Sequence, residues 1–556
     1  MTFRTLLLTA AAGLSISVPA LADTHIDNID GISIGRDGTV DRFTGIVVDE
    51  NGRISELLDF GDRPTREIDY YVDGEGRTVV PGFVDGHLHV MDLGLGTLVL
   101  DLSDTTSLDE ALSRIAAYAA ANPERPWIIG RGWNQETWGT DRFPTAAELD
   151  GVVADRPVWL ERVDGHAGWG NSLALAAGGV TAQSVDPTGG RIERVAGSRA
   201  PAGVLVDSAM PMVADQIPPP LPEDRDLALY NAQELLLSHG ITAVADMGTT
   251  LDDWMTFRRA GDAGRLQMRI ASYADSVDSM LMIGGPGPTP WLYDDRLRLN
   301  GVKLYLDGAL GSRGALLNAD YEDDHGNRGL PLISGTELRN MMSRAALDNF
   351  QVAVHAIGDA ANREALYAIE DLASDYTGDR RWRIEHAQIV DPADLPRFGL
   401  HGIIASMQPV HQTSDMFMAE ARLGADRLGG AYAWRSVLAY GGSLAFGTDA
   451  PVEPVSALAG LAVAISRENA DGVPAGGWRA EEAITREQAL AAYTSGAAYA
   501  AFAEGRFGSL TPGERADFVV LSGDPLTLSA SELREIDVLE TWIAGQRVYR
   551  MEGAGR

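Results

Sequence analysis

"FQVAVHAIGDAANREALYAIEDLASD", residues 350–375, joins two stretches of different periodicity. The first ten residues form a short apolar run with alternating valines, which is typical of a buried strand. The remainder is longer and repeats its apolar residues at helical spacing, so it predicts an amphipathic helix. The positions at that spacing are Ala360, Ala361, Leu366, Ile369 and Leu372.

Seven other apolar runs repeat this strand-then-helix unit along the chain. Strands that alternate with helices predict an α/β fold, and eight such units predict a (β/α)8, or TIM, barrel. We assign residues 81–100 and 206–499 to this barrel. The seven runs are "TVVPGFVDGHLHV", "GITAVADMG", "QMRIASYA", "GVKLYLDGAL", "WRIEHAQIV", "GIIASMQPV" and "SLAFGTDAPV".

Two further regions differ from the barrel pattern. Residues 23–80 and 500–556 carry short β-like runs with Asp-Gly, Asn-Gly and similar turns, and together they predict a composite β-sandwich domain. The gap between the first two barrel strands is too long for a single helix. Residues 101–205 therefore predict an inserted subdomain that caps the barrel mouth, and the Pro-rich "DQIPPPLPEDRD" leads back into the barrel.

The first residues read as a targeting segment. "MTFRTLLLTAAAGLSISVPALADT" combines Arg4, an apolar run and the small-residue site Ala20-Leu21-Ala22. We expect residues 1–22 to be a signal peptide cleaved after Ala22, which makes the mature protein periplasmic or secreted. A retained membrane anchor is the alternative, but the run is short for a span, and we expect no stable membrane insertion of the mature protein.

Composition excludes several functional classes. The net charge of −34 argues against binding to nucleic acid, which requires basic patches. The absence of cysteine among the 556 residues excludes disulfides, thiolate zinc sites and cysteine nucleophiles. Any metal must therefore be held mainly by His, Asp or Glu. The oligomeric state stays open, a homodimer included.

Polar side chains fall at the ends of the predicted barrel strands. His87 and His89 are two apart on a strand, so both point to the same face. The carboxyl ends of barrel strands are where barrel enzymes carry their chemistry. Each residue alone reads as a satisfied buried polar group, whereas the set predicts a metal centre. The set is His87, His89, Lys303, His355, His386 and Asp449.

Lys303 is the only lysine in the chain, in which arginine otherwise supplies the basic residues. A desolvated lysine among histidines would be neutral and nucleophilic. A neutral amine can capture carbon dioxide as a carbamate whose two oxygens bridge two metal ions, which arginine cannot do because it keeps its proton. The alternative is a lysine cation paired with Asp307 or Asp449.

Several motifs occur together and in order along the chain. They are "VVPGFVDGHLHV", "GHAGWGNSLAL", "VKLYLDGALGSRGA", "VHAIGDAA", "RIEHAQ", "FGTDAPV" and "GSLTPGERADFVVL". The sequence resembles the amidohydrolase superfamily, and within it amidohydrolase family 3, the group of the N-substituted formamide deformylases and the YtcJ-like hydrolases. The resemblance covers nearly all of the chain that follows the predicted signal peptide.

The resemblance implies a metal-dependent amidohydrolase. It implies two divalent ions, with Zn²⁺ as the first expectation, and a small-molecule, amide-like substrate. A metal-bridging hydroxide would hydrolyse an amide or similar non-peptide C–N bond, and Asp449 would act as general base and then general acid. The implied ligands are His87 and His89 for the more buried metal, Lys303 as bridging carbamate, His355 and His386 for the second metal, and Asp449 at a metal.

Three alternatives to this function stay open. The same scaffold acts on an ester, a lactone or a cyclic imide, or it is a non-catalytic barrel that binds a ligand, or Lys303 forms a Schiff base as in a barrel aldolase.

The roles of the residues around the predicted metal ligands are also open. Asp85 and Glu385 either orient metal-bound imidazoles or are ordinary strand residues. The candidate pocket residues are His166, Arg313 and Trp133, with Trp138 and Trp169 as further aromatics that fit a core equally well.

Overall fold

The computed structural model describes residues 22–140 and 142–553. The predicted signal peptide lies outside the described residues, apart from Ala22. The strands group by region. Near the amino end are β1 (Thr24–Ile34), β2 (Val40–Phe43), β3 (Gly45–Val48), β4 (Ile54–Leu58) and β5 (Tyr70–Pro81), followed by β6 (Phe83–Leu88), the first barrel strand. The insertion holds β7 (Leu100–Asp101), β8 (Ile128–Trp133), β9 (Val158–Arg162), β10 (Ala167–Gly170), β11 (Gly190–Arg194) and β12 (Pro201–Asp207).

The remaining strands complete the barrel and return to the terminal sheet. They are β13 (Ile241–Thr249), β14 (Arg269–Ala274), β15 (Leu297–Tyr305), β16 (Gln351–Ala356), β17 (Arg383–His386), β18 (Ile404–Met407), β19 (Ser443–Phe446), β20 (Phe518–Leu521), β21 (Val538–Ile543) and β22 (Gln546–Arg550).

Helices fill most of the connections. They are α1 (Val90–Gly96), α2 (Leu108–Ala121), α3 (Gln135–Trp138), α4 (Ala146–Asp150), α5 (Ser172–Ala177), α6 (Pro211–Ala214), α7 (Pro222–Ser238), α8 (Leu251–Asp262), α9 (Val277–Gly284), α10 (Gly335–Leu347), α11 (Asp359–Ala373), α12 (Pro396–Leu400), α13 (Pro409–Leu423), α14 (Trp434–Ala439), α15 (Ala457–Ser466), α16 (Arg486–Ala492), α17 (Ser495–Ala500) and α18 (Ala530–Arg534), with 3-10 turns at Ala425–Gly430 and Ala480–Glu482.

Eight parallel strands form the barrel sheet, in the order β6, β13, β14, β15, β16, β17, β18, β19. The opening stretch of sequence becomes β16 and α11, as predicted. Every residue of β16 is buried, because the sheet is covered on both faces. Helix α11 buries Leu366 and Ile369 on the face that its spacing defined. The last strand meets the first through two backbone bonds, from the Asp449 amide to the His87 carbonyl and from the His89 amide to the Ala450 carbonyl, at 2.7 and 2.9 Å.

Strands from both chain ends share one mixed sheet, in which β5 pairs with β1 in parallel and with β20 in antiparallel orientation. The insertion forms a separate sheet in the order β11-β12-β10-β9-β8-β7. The predicted fold class, a barrel with a β-module from both termini and an inserted module, is confirmed. Among residues 22–140 and 142–553, no helix has both the length and the apolar character that crossing a bilayer requires.

A buried ion pair ties the barrel to the terminal sheet. The side chain of Arg269 is fully buried and that of Asp517 is 2% exposed. Two guanidinium nitrogens of Arg269 donate to the two carboxylate oxygens of Asp517 at 2.5 and 2.8 Å. We expect Asp517→Ala to lower the free energy of unfolding by about 3–5 kcal/mol, because it leaves the Arg269 charge buried without its partner. Urea unfolding followed by circular dichroism measures the change.

Asp30→Ala is the matched control, since Asp30 pairs with Arg42 where both side chains are more than 40% exposed. Exposed pairs contribute about 0–1 kcal/mol. Equal losses in the two variants would contradict a special role for the buried pair.

Candidate metal centre

The six predicted side chains come together at the carboxyl ends of the barrel strands. The ring centroids of His355 and His386 lie 4.5 Å apart, and those of His87 and His386 lie 4.7 Å apart. His89 is the partly exposed member of the set, while the other five are buried. The barrel geometry therefore brings four imidazoles, one amine and one carboxylate together in one cluster.

Two of these side chains stand on strained backbone. His386 and Asp449 have φ values of +71° and +58°, in the left-handed region that non-glycine residues rarely adopt. Such conformations cost about 1–3 kcal/mol and persist where the surrounding structure enforces them, often at functional sites. The backbone strain therefore coincides with the ends of the strands that carry the cluster.

The Asp449 carboxylate faces two histidines of the first strand. Its Oδ1 lies 3.2 Å from His89 Nε2 and 3.4 Å from His87 Nε2, yet this oxygen has no hydrogen-bond partner among the described residues. Burial opposes its ionisation, but the facing histidines, with His87 first, outweigh burial and hold the Asp449 pKa well below its ordinary value. The carboxylate is therefore an anion with one free, buried oxygen.

Lys303 lies beside His87 in the cluster and is 1% exposed. Its Nζ is 3.2 Å from His87 Nε2 and 4.7 Å from the centre of the Tyr305 ring. Burial lowers the Lys303 pKa to about 8. Asp307, one of the partners considered for a lysine cation, instead accepts hydrogen bonds from the backbone amides of Leu316, Ile357 and Gly358 at 2.8–3.0 Å.

Glu385 orients one of the imidazoles. Its Oε2 lies 2.6 Å from His87 Nδ1, and its Oε1 accepts a hydrogen bond from Arg383 Nε at 2.8 Å. Burial opposes ionisation of Glu385, but the Arg383 guanidinium outweighs it and holds the Glu385 pKa below its usual range. Because an ionised carboxylate only accepts, His87 Nδ1 carries the hydrogen and Nε2 is left facing the cluster.

Asp85, unlike Glu385, bonds the backbone of the cluster and not an imidazole. It accepts hydrogen bonds from the Thr448 hydroxyl at 2.7 Å and from the His87 backbone amide at 3.1 Å, so it joins the ends of the first and last barrel strands. Burial raises the Asp85 pKa to about 7.

Buried polar atoms without hydrogen-bond partners show whether the side chains of the cluster could hold a metal ion. His355 Nε2 has no hydrogen-bond partner among the described residues, and the nearest carboxylate oxygen recorded for it, on Asp307, is 3.6 Å away. Asp449 Oδ1 is the second such atom. His386 Nδ1 faces the Gln408 side-chain oxygen at 2.9 Å, which leaves its Nε2 free. Unpaired buried polar atoms are costly, and imidazole with carboxylate suits a divalent metal. The residues present fit such a metal.

His411 joins the cluster without having been predicted. Its Nε2 lies 3.1 Å from Asp449 Oδ2, and its Nδ1 lies 3.0 Å from Glu453 Oε1. Burial favours neutral His411, but Asp449 and Glu453 outweigh burial and raise its pKa to about 10. His411 belongs to α13 and not to a strand end, so the pattern of strand ends does not point to it. The signal in the sequence was the position of "QPVHQT", directly after the seventh barrel strand.

A cavity of about 1490 Å³ opens above the cluster. The insertion contributes His166 to its wall, with the ring centroid 5.3 Å from that of His355. His166 Nδ1 lies 2.6 Å from Asp207 Oδ1, and although burial opposes protonation, this carboxylate raises the His166 pKa to about 9. The predicted pocket residue His166 therefore does lie at the cavity.

The structure does not bring the other two candidate pocket residues into the cavity wall. Trp133 is fully buried in the core of the inserted sheet, where its Nε1 donates to the Leu160 carbonyl at 2.7 Å. Trp138 and Trp169 pack against it with ring centroids about 6 Å away. Arg313 pairs with Asp323 at 2.9 Å. An aromatic or basic residue type alone does not distinguish packing from a pocket.

Comparison with known proteins places the chain in a family. Residues 71–549 match the amidohydrolase family. The protein LONG AFTER FAR-RED 3 of Arabidopsis thaliana is 35% identical over 496 residues, 86% of this chain and 83% of the relative. The N-substituted formamide deformylase of Arthrobacter pascens is 28% identical over 496 residues, 87% of this chain and 90% of that enzyme.

One solved structure supports the same grouping. The uncharacterized metal-dependent hydrolase of Pyrococcus horikoshii OT3 superimposes with a TM-score of 0.73 at 26% identity, covering 92% of this chain and 99% of that one. The resemblance drawn from the motifs is thus confirmed, and the chain belongs to the amidohydrolase family.

Proposed function

We propose that this protein is a metal-dependent hydrolase that cleaves an amide or similar non-peptide C–N bond in a small molecule. The observation that carries the proposal is the convergence of buried imidazoles on an ionised Asp449, with Asp449 Oδ1 and His355 Nε2 left without hydrogen-bond partners. Two names support it. The Pyrococcus structure is described as a metal-dependent hydrolase, and the Arthrobacter relative as a deformylase of N-substituted formamides.

The proposed site holds two divalent ions, with zinc as the first choice because imidazole and carboxylate suit it. When bound, the metals would lower the pKa of a water molecule and polarise the substrate carbonyl. The proposed ligands are His87 and His89 for one ion, His355 and His386 for the other, Lys303 as a bridge and Asp449 in contact with a metal.

Lys303 would bridge as a carbamate. Burial lowers the lysine pKa to about 8, so part of the amine, about a tenth at pH 7, is neutral. In forming the carbamate, the Lys303 nitrogen bonds to the carbon of one carbon dioxide molecule and one proton leaves. The neutral amine thereby becomes an anion with two oxygens.

Asp449 moves the proton in the proposed reaction. Its carboxylate accepts the proton that the attacking water gives up, and it returns that proton to the departing nitrogen as the C–N bond breaks. Asp449 is placed for this task because it lines the cavity and its Oδ1 has no hydrogen-bond partner among the described residues. Glu385 and Gln408 keep the His87 and His386 rings in fixed orientation beside it.

Metal content and substrate class are tested together on the purified full chain. We expect two divalent ions per chain by inductively coupled plasma mass spectrometry. We also expect hydrolysis of a panel of N-substituted formamides and other N-acyl amines, falling at least about 100-fold after chelation because carbonyl polarisation is lost. Added Zn²⁺ should restore the rate.

Esters, lactones and cyclic imides with the same acyl groups form the comparison panel. Hydrolysis of these compounds with no turnover of any amide would replace the amide proposal. Full activity in metal-free protein would reject metal dependence, and binding of the compounds without turnover would indicate a non-catalytic barrel. The periplasmic or secreted location stays a prediction.

A further inference from the structure

His411 lies between two carboxylates. Its Nε2 is 3.1 Å from Asp449 Oδ2 and its Nδ1 is 3.0 Å from Glu453 Oε1. An ionised carboxylate only accepts hydrogen bonds, so Nε2 donates to Asp449, while Nδ1 lies within hydrogen-bonding distance of Glu453. The residue is 6% exposed, and its ring is therefore held at both ends inside the protein.

The fold supplies this arrangement from two separate loops. His411 stands in the first turn of α13, directly after β18, while Asp449 and Glu453 belong to the segment that follows β19. The ring therefore spans the connections that follow the seventh and eighth barrel strands. All three residues line the cavity.

The two oxygens of Asp449 have different surroundings. Oδ1 faces His87 and His89 and has no hydrogen-bond partner among the described residues, whereas Oδ2 meets His411. The terminal torsion of an aspartate is broad and roughly two-fold, so a carboxylate turns easily unless one oxygen is held. A hydrogen bond to Oδ2 thus decides where Oδ1 points.

We propose that His411, held by Glu453, is a positioning residue that fixes the Asp449 carboxylate through Oδ2 and so presents Oδ1 to the metal-binding cluster. The inference rests on the proposed function, because it assumes that metal binds where Oδ1 points. In this role His411 does not itself bind metal; the competing assignment makes it a ligand, since His386, His411 and Asp449 offer ligand atoms within 4.8 Å of one another.

The test uses Co²⁺ as a probe of the metal-free full chain, with visible absorption as the readout of coordination and mass spectrometry for stoichiometry. His411→Leu removes the hydrogen bond to Oδ2, whereas His411→Gln keeps an N–H donor on a side chain of similar reach. Glu453→Gln removes the charge that holds the ring. His401→Leu is the matched control, since His401 also faces a carboxylate, on Glu370 at 3.4 Å, but lies outside the cavity wall.

We expect His411→Leu to bind Co²⁺ about 10–100-fold more weakly and with an altered visible spectrum, at unchanged stoichiometry once saturated. His411→Gln should regain most of the affinity and the parent spectrum, and Glu453→Gln should fall between the two. His401→Leu should match the parent. Thermal unfolding by circular dichroism should show a folded protein for every variant, since the His411 and Glu453 substitutions alter a cavity wall and His401 lies outside it.

Three outcomes would overturn parts of this picture in distinguishable ways. Parent-like Co²⁺ affinity and spectrum in His411→Leu would reject the positioning role while leaving the proposed function intact. Loss of one bound ion per chain in both His411 variants would identify His411 as a metal ligand and also reject the role. A parent protein that binds no Co²⁺ would reject the proposed function and the inference with it.

Discussion

Lys303→Arg is expected to lose bound metal and to lower amide hydrolysis by about 10³-fold or more. Arginine keeps the positive charge and much of the length, but it cannot lose its proton and so cannot carry a carbamate. Lys303 Nζ lies 3.2 Å from His87 Nε2, and a permanent guanidinium at this position would also repel a divalent ion. Metal analysis and kcat on the best substrate of the amide panel measure both losses.

A second variant separates loss of the bridge from damage to the fold. Lys303→Ala leaves space for a small carboxylate, and added acetate or propionate should restore part of the metal content and activity because it supplies two bridging oxygens. The thermal transition of both variants should stay cooperative. Parent-like metal content and turnover in Lys303→Arg would contradict the bridge, and lysine would then act as a simple cation.

Asp449→Asn is expected to reduce kcat by about 10²–10⁴-fold, the range for loss of a general acid–base group. The amide has the size of the carboxylate but cannot accept the proton of the attacking water. Because the carboxylate also faces the histidines proposed as metal ligands, some weakening of metal affinity should accompany the loss. Steady-state kinetics at saturating Zn²⁺ separate the two effects.

Asp104→Asn serves as the control, since Asp104 lines the cavity but its side chain is 74% exposed and pairs with Arg114. Its rate should stay within about twofold of the parent, in keeping with the small effects of exposed charge pairs. Turnover by metal-saturated Asp449→Asn at the parent rate would remove Asp449 from proton transfer.

The barrel was predictable because its strands are short, apolar and buried on both faces, and such runs stand out against the longer helical repeats. All eight predicted runs overlap a barrel strand, and six of them contain the strand completely. The convergence of His87, Lys303, His355, His386 and Asp449 followed from topology alone, because parallel strands end at one mouth.

Other features were out of reach of the sequence for physical reasons. His411 meets Asp449 because the loops after two neighbouring strands approach each other, and no local pattern records that approach. The sequence around Trp133 fits a residue in a pocket wall and a residue in a core equally well. Only the packing of the inserted sheet distinguishes the two. The contact of Arg313 with Asp323 depends on how one surface loop folds back on itself.

The junction between the first and last barrel strands also bears on biogenesis. Asp85 and Thr448 are bonded across 363 positions of sequence, and the backbone of His87 meets that of Asp449 at the same place. Contacts of such long range form late, after large loops have closed. A growing chain that has not yet produced its eighth strand lacks Asp449, which follows that strand. Metal is therefore expected to bind only after the barrel is complete. A chain that holds metal would then be one whose barrel has already closed.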